Sequence, residues 1–177
     1  MRILLSLLFA GSLLASDIRP PGGGGGPGTP QWYKYSLIAI ANGVNGCANA
    51  NGCWQVNGLL GSNKAAGLTQ DVALFQLPAG GKVTDWRMKS GVAVTGVTTA
   101  VSGLGVTANN VLFRAASYDL KAAVAATNLT EGPTAGTGSG TAAATNVVAS
   151  VVTTVDNVDQ IVAGGRLDVW VQWSVLP

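Results

Sequence analysis

Two cysteines, eight carboxylates and five tryptophans are the side chains in this sequence that could do chemistry or make a specific contact, and no histidine accompanies them. Without histidine, the Ser-His-Asp and Cys-His routes to an activated nucleophile are closed, and so are His-based metal sites and switches near neutral pH. Glycoside hydrolysis needs only two acids. Here, however, Asp17, Asp71, Asp85, Asp119, Glu131, Asp156, Asp159 and Asp168 are spread thinly, and their order singles out no pair. The sequence therefore predicts no enzyme, no catalytic residues, no metal and no cofactor. Cys47 and Cys53 cannot complete a tetrahedral zinc site, and their spacing is not that of a redox Cys-x-x-Cys. In an exported chain they are expected to form a disulfide closing a small loop.

Among the tryptophans, Trp86 and Trp173 fall on apolar strand faces and are expected in the core. Trp170 alternates with Asp168 and Gln172 on a polar face, where an indole could stack on sugar rings or sit at a subunit interface. Trp54, next to Cys53, could pack on the disulfide or lead a binding loop. Trp170 and Trp54 are thus the candidates for an interface or a ligand-stacking site.

Strands must position these residues. The chain is 47% hydrophobic but only 10% charged, and its richness in Val, Thr, Ala and Gly is a strand-and-turn composition. In the closing GGRLDVWVQWSVLP, Leu167, Val169, Val171, Trp173 and Val175 share one face, and Asp168, Trp170, Gln172 and Ser174 share the other. QWYKYSLIAIA (31–41) reads as the first strand, and the Asn/Gly-rich run 42–63 as turns. TQDVALFQLPAGGKVTDWRMKSG (69–91) reads as strand, turn, strand. Its second strand sets Thr84, Trp86 and Met88 against Val83, Asp85, Arg87 and Lys89. Further short strands follow with Gly breaks. Only YDLKAAVAATNL (118–129) has helical propensity, with Asp119 placed to cap it, as one short helix or an extended loop. The fold class is all-β: a single β-sandwich, jelly-roll or immunoglobulin-like, with at most one short helix.

The amino-terminal region divides from this domain. Residues 1–16 carry one Arg followed by an apolar run from Ile3 to Leu14. That is the plan of a secretory signal peptide, and it falls short of the roughly 20 residues needed to span a bilayer, so export without stable membrane insertion is expected. Residues 17–30 include the run RPPGGGGGPGTP and form a Gly/Pro-rich tether, leaving 31–177 as the folded domain. The remaining basic residues are scattered apart from Lys82, Arg87 and Lys89. They do not form the aromatic-interleaved stripe that nucleic acid would require, so no nucleic-acid partner is expected.

DVALFQLPAGGKVTDWRMKSGVAVTG, the later VLFRAASYDL and the final GGRLDVWVQWSVLP resemble, over Leu68 to Pro177, a group of small proteins of tailed phages and environmental viruses. The shared pattern is a strand ending in LPAG, a following strand that begins with Val, and a closing strand of the form G-x-(L/V)-D-(V/I)-W-V. The resemblance implies a virion-associated β-sandwich, such as a capsid decoration, head-fibre or tail-associated protein, that assembles with itself or with other particle subunits. The leader-like start and the cysteine segment depart from that pattern and suit an exported surface or filament subunit. The function expected is therefore a non-enzymatic structural or assembly protein, virion-associated or extracellular, with cytoplasmic assembly into a virion as the alternative location. The alternative function is a secreted carbohydrate-binding or adhesive module using an exposed Trp, which would make glycans a partner.

Overall fold

The structure is a computed structural model that describes residues 31–122, 130–132 and 143–175. The expected leader (1–16), the tether (17–30) and most of the segment with helical propensity lie outside those residues. Among the described residues there are ten strands: β1 Gln31–Ile40, β2 Cys53–Val56, β3 Leu59–Asn63, β4 Thr69–Leu77, β5 Gly81–Val92, β6 Val101–Val106, β7 Asn109–Asp119, β8 Thr130–Gly132, β9 Thr145–Val152 and β10 Arg166–Val175. A single 3-10 turn, Val158–Gln160, is the one helical element among the described residues. No described helix is long and apolar enough to cross a membrane.

The strands form two antiparallel sheets, ordered β3-β2-β1-β10-β5-β8 and β4-β9-β6-β7. The chain is a β-sandwich, as its period-2 patterning predicts. Tyr35, Leu37, Trp86, Met88, Leu167, Val169 and Val171 from the larger sheet meet Val72, Leu74, Phe75, Leu77, Leu104, Val147 and Val151 from the smaller one. Across this interface Tyr35 stacks on Phe75 with centroids 4.7 Å apart, and Phe75 on Trp173 at 6.0 Å. β1 pairs with β10 from Gln31↔Trp173 to Ile38↔Arg166, so the first and last strands are central neighbours. The start of β1 and the end of β10 therefore lie at one end of the sandwich.

Two local departures from the alternation are irregularities of pairing, and one stretch expected as turns holds a hairpin. Opposite Gln172 and Trp173, β5 inserts Thr84 as an extra residue, whose hydroxyl donates to the Gln172 carbonyl at 3.2 Å. Past that bulge the facing reverses. Val83 is buried with Trp86 and Met88, whereas simple alternation places it on the charged face. In β4 a similar irregularity between Ala73 and Phe75 turns both Leu74 and Phe75 inward. The Asn/Gly-rich run holds more than turns: its second half is the β2–β3 hairpin, closed by Asn57 and Gly58 at φ 50° and 84°, the pair that a tight two-residue hairpin loop requires.

Tyr118 and Asp119 end β7 rather than opening a helix, and the Asp119 carboxylate accepts from the Lys121 backbone N–H at 2.8 Å. That is the same short-range side-chain bonding a helix cap uses, here closing a turn. Thr130–Gly132, from the Gly-rich stretch that carries no strand signal, pairs with Trp86–Met88 as the edge of the larger sheet.

Candidate functional site

On the solvent side of the larger sheet, strand alternation and register assemble a surface that no contiguous stretch of sequence contains. β1 contributes Trp32, Lys34, Ser36 and Ile38, β10 contributes Gln172, Trp170, Asp168 and Arg166, and β5 contributes Asp85, Arg87 and Lys89. The pairings align them in cross-strand rows: Trp32, Gln172, Asp85; then Lys34, Trp170, Arg87; then Ser36, Asp168, Lys89. Side chains in such rows lie roughly 5 Å apart and interact directly. Lys82, opposite Ser174, extends the same face. Of the ten Lys and Arg residues, Arg2 and Arg19 precede residue 31, and five of the other eight (Lys34, Lys82, Arg87, Lys89, Arg166) stand on this one face. The basic residues are scattered along the chain but gathered in space.

Indoles hold two of these cations in place. The Arg87 guanidinium carbon sits 4.6 Å from the centroid of Trp32, and Lys34 Nζ sits 5.1 Å from that of Trp170. Each contact contributes about 0.5–1 kcal/mol at an exposed site. Trp32 remains 39% exposed. Beneath the cations lies Asp168, 3% exposed, which accepts from the Ser36 hydroxyl at 2.6 Å and is within 3.4 Å of both Lys34 Nζ and Arg166 Nη2. A buried carboxylate survives there because a hydroxyl and two cations compensate its lost hydration.

The two candidate tryptophans separate. Trp170 lies half-buried in the middle of this surface, with Lys34 over its ring. Trp54 is 2% exposed and packs in the core, its indole N–H donating to Gln70 Oε1 at 2.9 Å. It therefore presents no face to a ligand. In β2 it pairs with the inward-facing Ala39, so the strand's register, rather than the neighbouring loop, decides its direction. Trp32 completes the surface and was missed in the sequence because QWYKYS alternates aromatics with polar residues on both faces. Only the partner strand shows which face is outside.

Cys47 and Cys53 form a disulfide with Cα atoms 5.8 Å apart. It packs with Ile40 and Ile38 in a small cluster separate from the main core. Among the described residues no group of three or more His, Cys, Asp or Glu could hold a metal ion.

At the end of the sandwich where β1 finishes and β10 begins, Lys64 is 4% exposed and donates to the Ile161 carbonyl at 2.5 Å. Burial pushes its pKa below the usual lysine value, and Asp159 partly opposes that shift. Nearby, Asp156 accepts from the Thr98 backbone N–H, a bond that holds its carboxyl below the ordinary carboxylate range.

No family model matches the sequence, and no curated protein matches it. Among solved structures, a chain of the "Cyanophage Pam1 capsid asymmetric unit" is similar in fold, with a TM-score of 0.51 at 12% identity over 93% of this chain and 99% of that one. The likeness is one of fold.

Proposed function

We propose that this chain is a non-enzymatic structural subunit of a virus particle, mounted on the capsid or an attached fibre and assembled with copies of itself or with other particle subunits. The observation that carries this reading is the whole-chain likeness to a chain of a phage capsid asymmetric unit. Coverage near completeness on both sides means that the matched chain is itself little more than one sandwich of this size. The LPAG and D-x-W-V strands, which resemble small phage proteins, agree with it. Supporting it further is the exposed surface, where two cations lie over indoles in the way polar protein–protein contacts use them.

The direct test is to band particles from a producing culture by density and quantify peptides of this chain against those of the major shell protein. A fixed stoichiometric ratio across the particle peak is expected. Peptides confined to the cell envelope or the culture supernatant would overturn the particle role and favour an exported surface subunit.

A further inference from the structure

The Asn/Gly-rich run holds four Asn-Gly pairs, Asn42-Gly43, Asn45-Gly46, Asn51-Gly52 and Asn57-Gly58, and no other asparagine of the chain precedes a glycine. Such a pair carries a chemistry of its own. The glycine's backbone nitrogen can attack the asparagine side-chain carbon, because no β-carbon stands in the way. Cyclisation needs two things from the fold: a side-chain amide able to turn onto its own backbone, and a following N–H that nothing else holds.

The four pairs differ in both respects. Gly43 N–H donates to the Cys47 carbonyl at 2.8 Å, and Gly52 N–H donates to the Asn49 carbonyl at 2.9 Å. The Asn51 amide is held as well, donating to Asp159 Oδ2 at 3.0 Å. Asn57 is fixed through its side chain, which accepts from the Ser36 N–H at 2.8 Å and donates to the Lys34 carbonyl at 3.2 Å. Asn45-Gly46 is the exception. Both residues are exposed, and among the described residues neither the Asn45 amide nor the Gly46 N–H has a hydrogen-bond partner. Local sequence and backbone do not make this difference. Val precedes Asn45 and Asn57 alike, and φ is 49° and 82° along Asn45-Gly46 against 50° and 84° along Asn57-Gly58. Two turns of one shape differ in whether the asparagine side chain is tied down.

We propose that Asn45 is a site of spontaneous covalent modification, converting through a cyclic imide to aspartate and isoaspartate, while the fold protects the other three pairs. The Gly46 nitrogen gives its proton to hydroxide and bonds to Asn45 Cγ. The Cγ–Nδ2 bond breaks, and ammonia leaves with a proton taken from water. Water then adds at either carbonyl of the ring and opens it; nothing is oxidised or reduced. Each conversion creates a carboxylate, so the formal net charge of +2 falls by one. Isoaspartate also adds a backbone carbon between positions 45 and 46, inside the turn that the Cys47 N–H closes onto the Val44 carbonyl at 2.9 Å. The altered turn thus abuts the disulfide at Cys47.

The test is to hold the full chain, disulfide intact, in mildly alkaline buffer at physiological temperature and map its peptides by mass spectrometry over days, scoring aspartate and isoaspartate at each pair. A second sample is reduced and unfolded in guanidinium chloride. In the folded chain, conversion at Asn45 is expected to be about tenfold or more faster than at Asn42, Asn51 or Asn57, whose hydrogen bonds must first break. In the unfolded chain the four rates should fall within about threefold of one another, because that protection is gone. Asn45→Gln should remove the folded-state signal, since the larger ring closes far more slowly. Equal rates at Asn45 and Asn57 in the folded chain, a faster rate at any of the other three pairs, or no conversion at Asn45 while the unfolded chain converts would overturn the proposal.

Discussion

Replacing Tyr35 with Phe is expected to stabilise the protein, the opposite of what removing a buried tyrosine hydroxyl usually does. Tyr35 is 1% exposed, its ring is stacked on Phe75, and its hydroxyl has no hydrogen-bond partner among the described residues. The ring contact survives the substitution unchanged. What is lost is a buried donor and acceptor whose desolvation costs about 1–3 kcal/mol when nothing satisfies it. Against that stands the small void left by one oxygen, roughly 0.5–1 kcal/mol on the scale of a deleted methyl group. The net expectation is a gain of about 1 kcal/mol, or about 3 °C in Tm for a domain of this size. Urea unfolding at pH 7, followed by tryptophan fluorescence, should show a higher midpoint at constant slope.

The same substitution has a signature in alkali. Burial, with a smaller contribution from Tyr33, raises the Tyr35 pKa well above the usual tyrosine value of 10.0. A group whose folded pKa is raised contributes stability that is fully present below the unfolded pKa and is lost as pH rises through the folded one. Wild-type stability should therefore fall above about pH 10, and Tyr35→Phe should make that fall shallower by up to about 1.4 kcal/mol per pH unit. A loss of more than about 0.5 kcal/mol at pH 7 would refute the reasoning. It would mean that the hydroxyl has an acceptor and that the core is polar where the packing says it is dry.

Further outcomes follow from other contacts. Converting both Cys47 and Cys53 to Ser should cost about 2 kcal/mol, the loop entropy of so short a closure, and dithiothreitol should have the same effect on the wild type. Gly105→Ala should destabilise by about 3 kcal/mol or more. A Cβ there would stand 2.2 Å from the Asn109 carbonyl oxygen, and backbone on that side cannot swing away as a flexible side chain could; chemical denaturation reads the difference. Asp168→Asn should cost about 1–2 kcal/mol, limited because Lys34 and Arg166 are 47% and 41% exposed and regain water. Lys64→Met should remove a rise in stability with pH. The folded pKa of Lys64 is lowered by burial, so its contribution grows as pH climbs through that value toward 10.5 and is lost again as pH falls; the comparison is a set of melts from pH 8 to 10.5.

The sandwich was legible because its signal is local. Alternation along QWYKYSLIAI and RLDVWVQWSV, with LPAGG at a corner between two strands, needs no partner to be read. What depended on pairing was not legible. The extra Thr84 reverses the facing of Val83, and nothing in VTDW marks it, because a bulge is a property of two strands. Trp54 follows a cysteine in an Asn/Gly-rich stretch and reads as a loop residue, yet its pairing with Ala39 in β2 sends it into the core.

The basic face shows the same limit more strongly. Lys34, Arg87, Lys89 and Arg166 span more than a hundred residues of sequence and meet because β10, the last strand, inserts between β1 and β5. Charge scattered in sequence therefore says little about charge in a sheet, where strand order decides which residues become neighbours. Pairing also explains why a carboxylate is tolerated inside that face: Asp168 lies beside β1, where the Ser36 hydroxyl donates to it, and Lys34 and Arg166 are each within 3.4 Å. A chain in which β10 ran along the sheet's edge would leave Asp168 with a neighbouring strand on one side only and would take Trp170 from between Lys34 and Arg87.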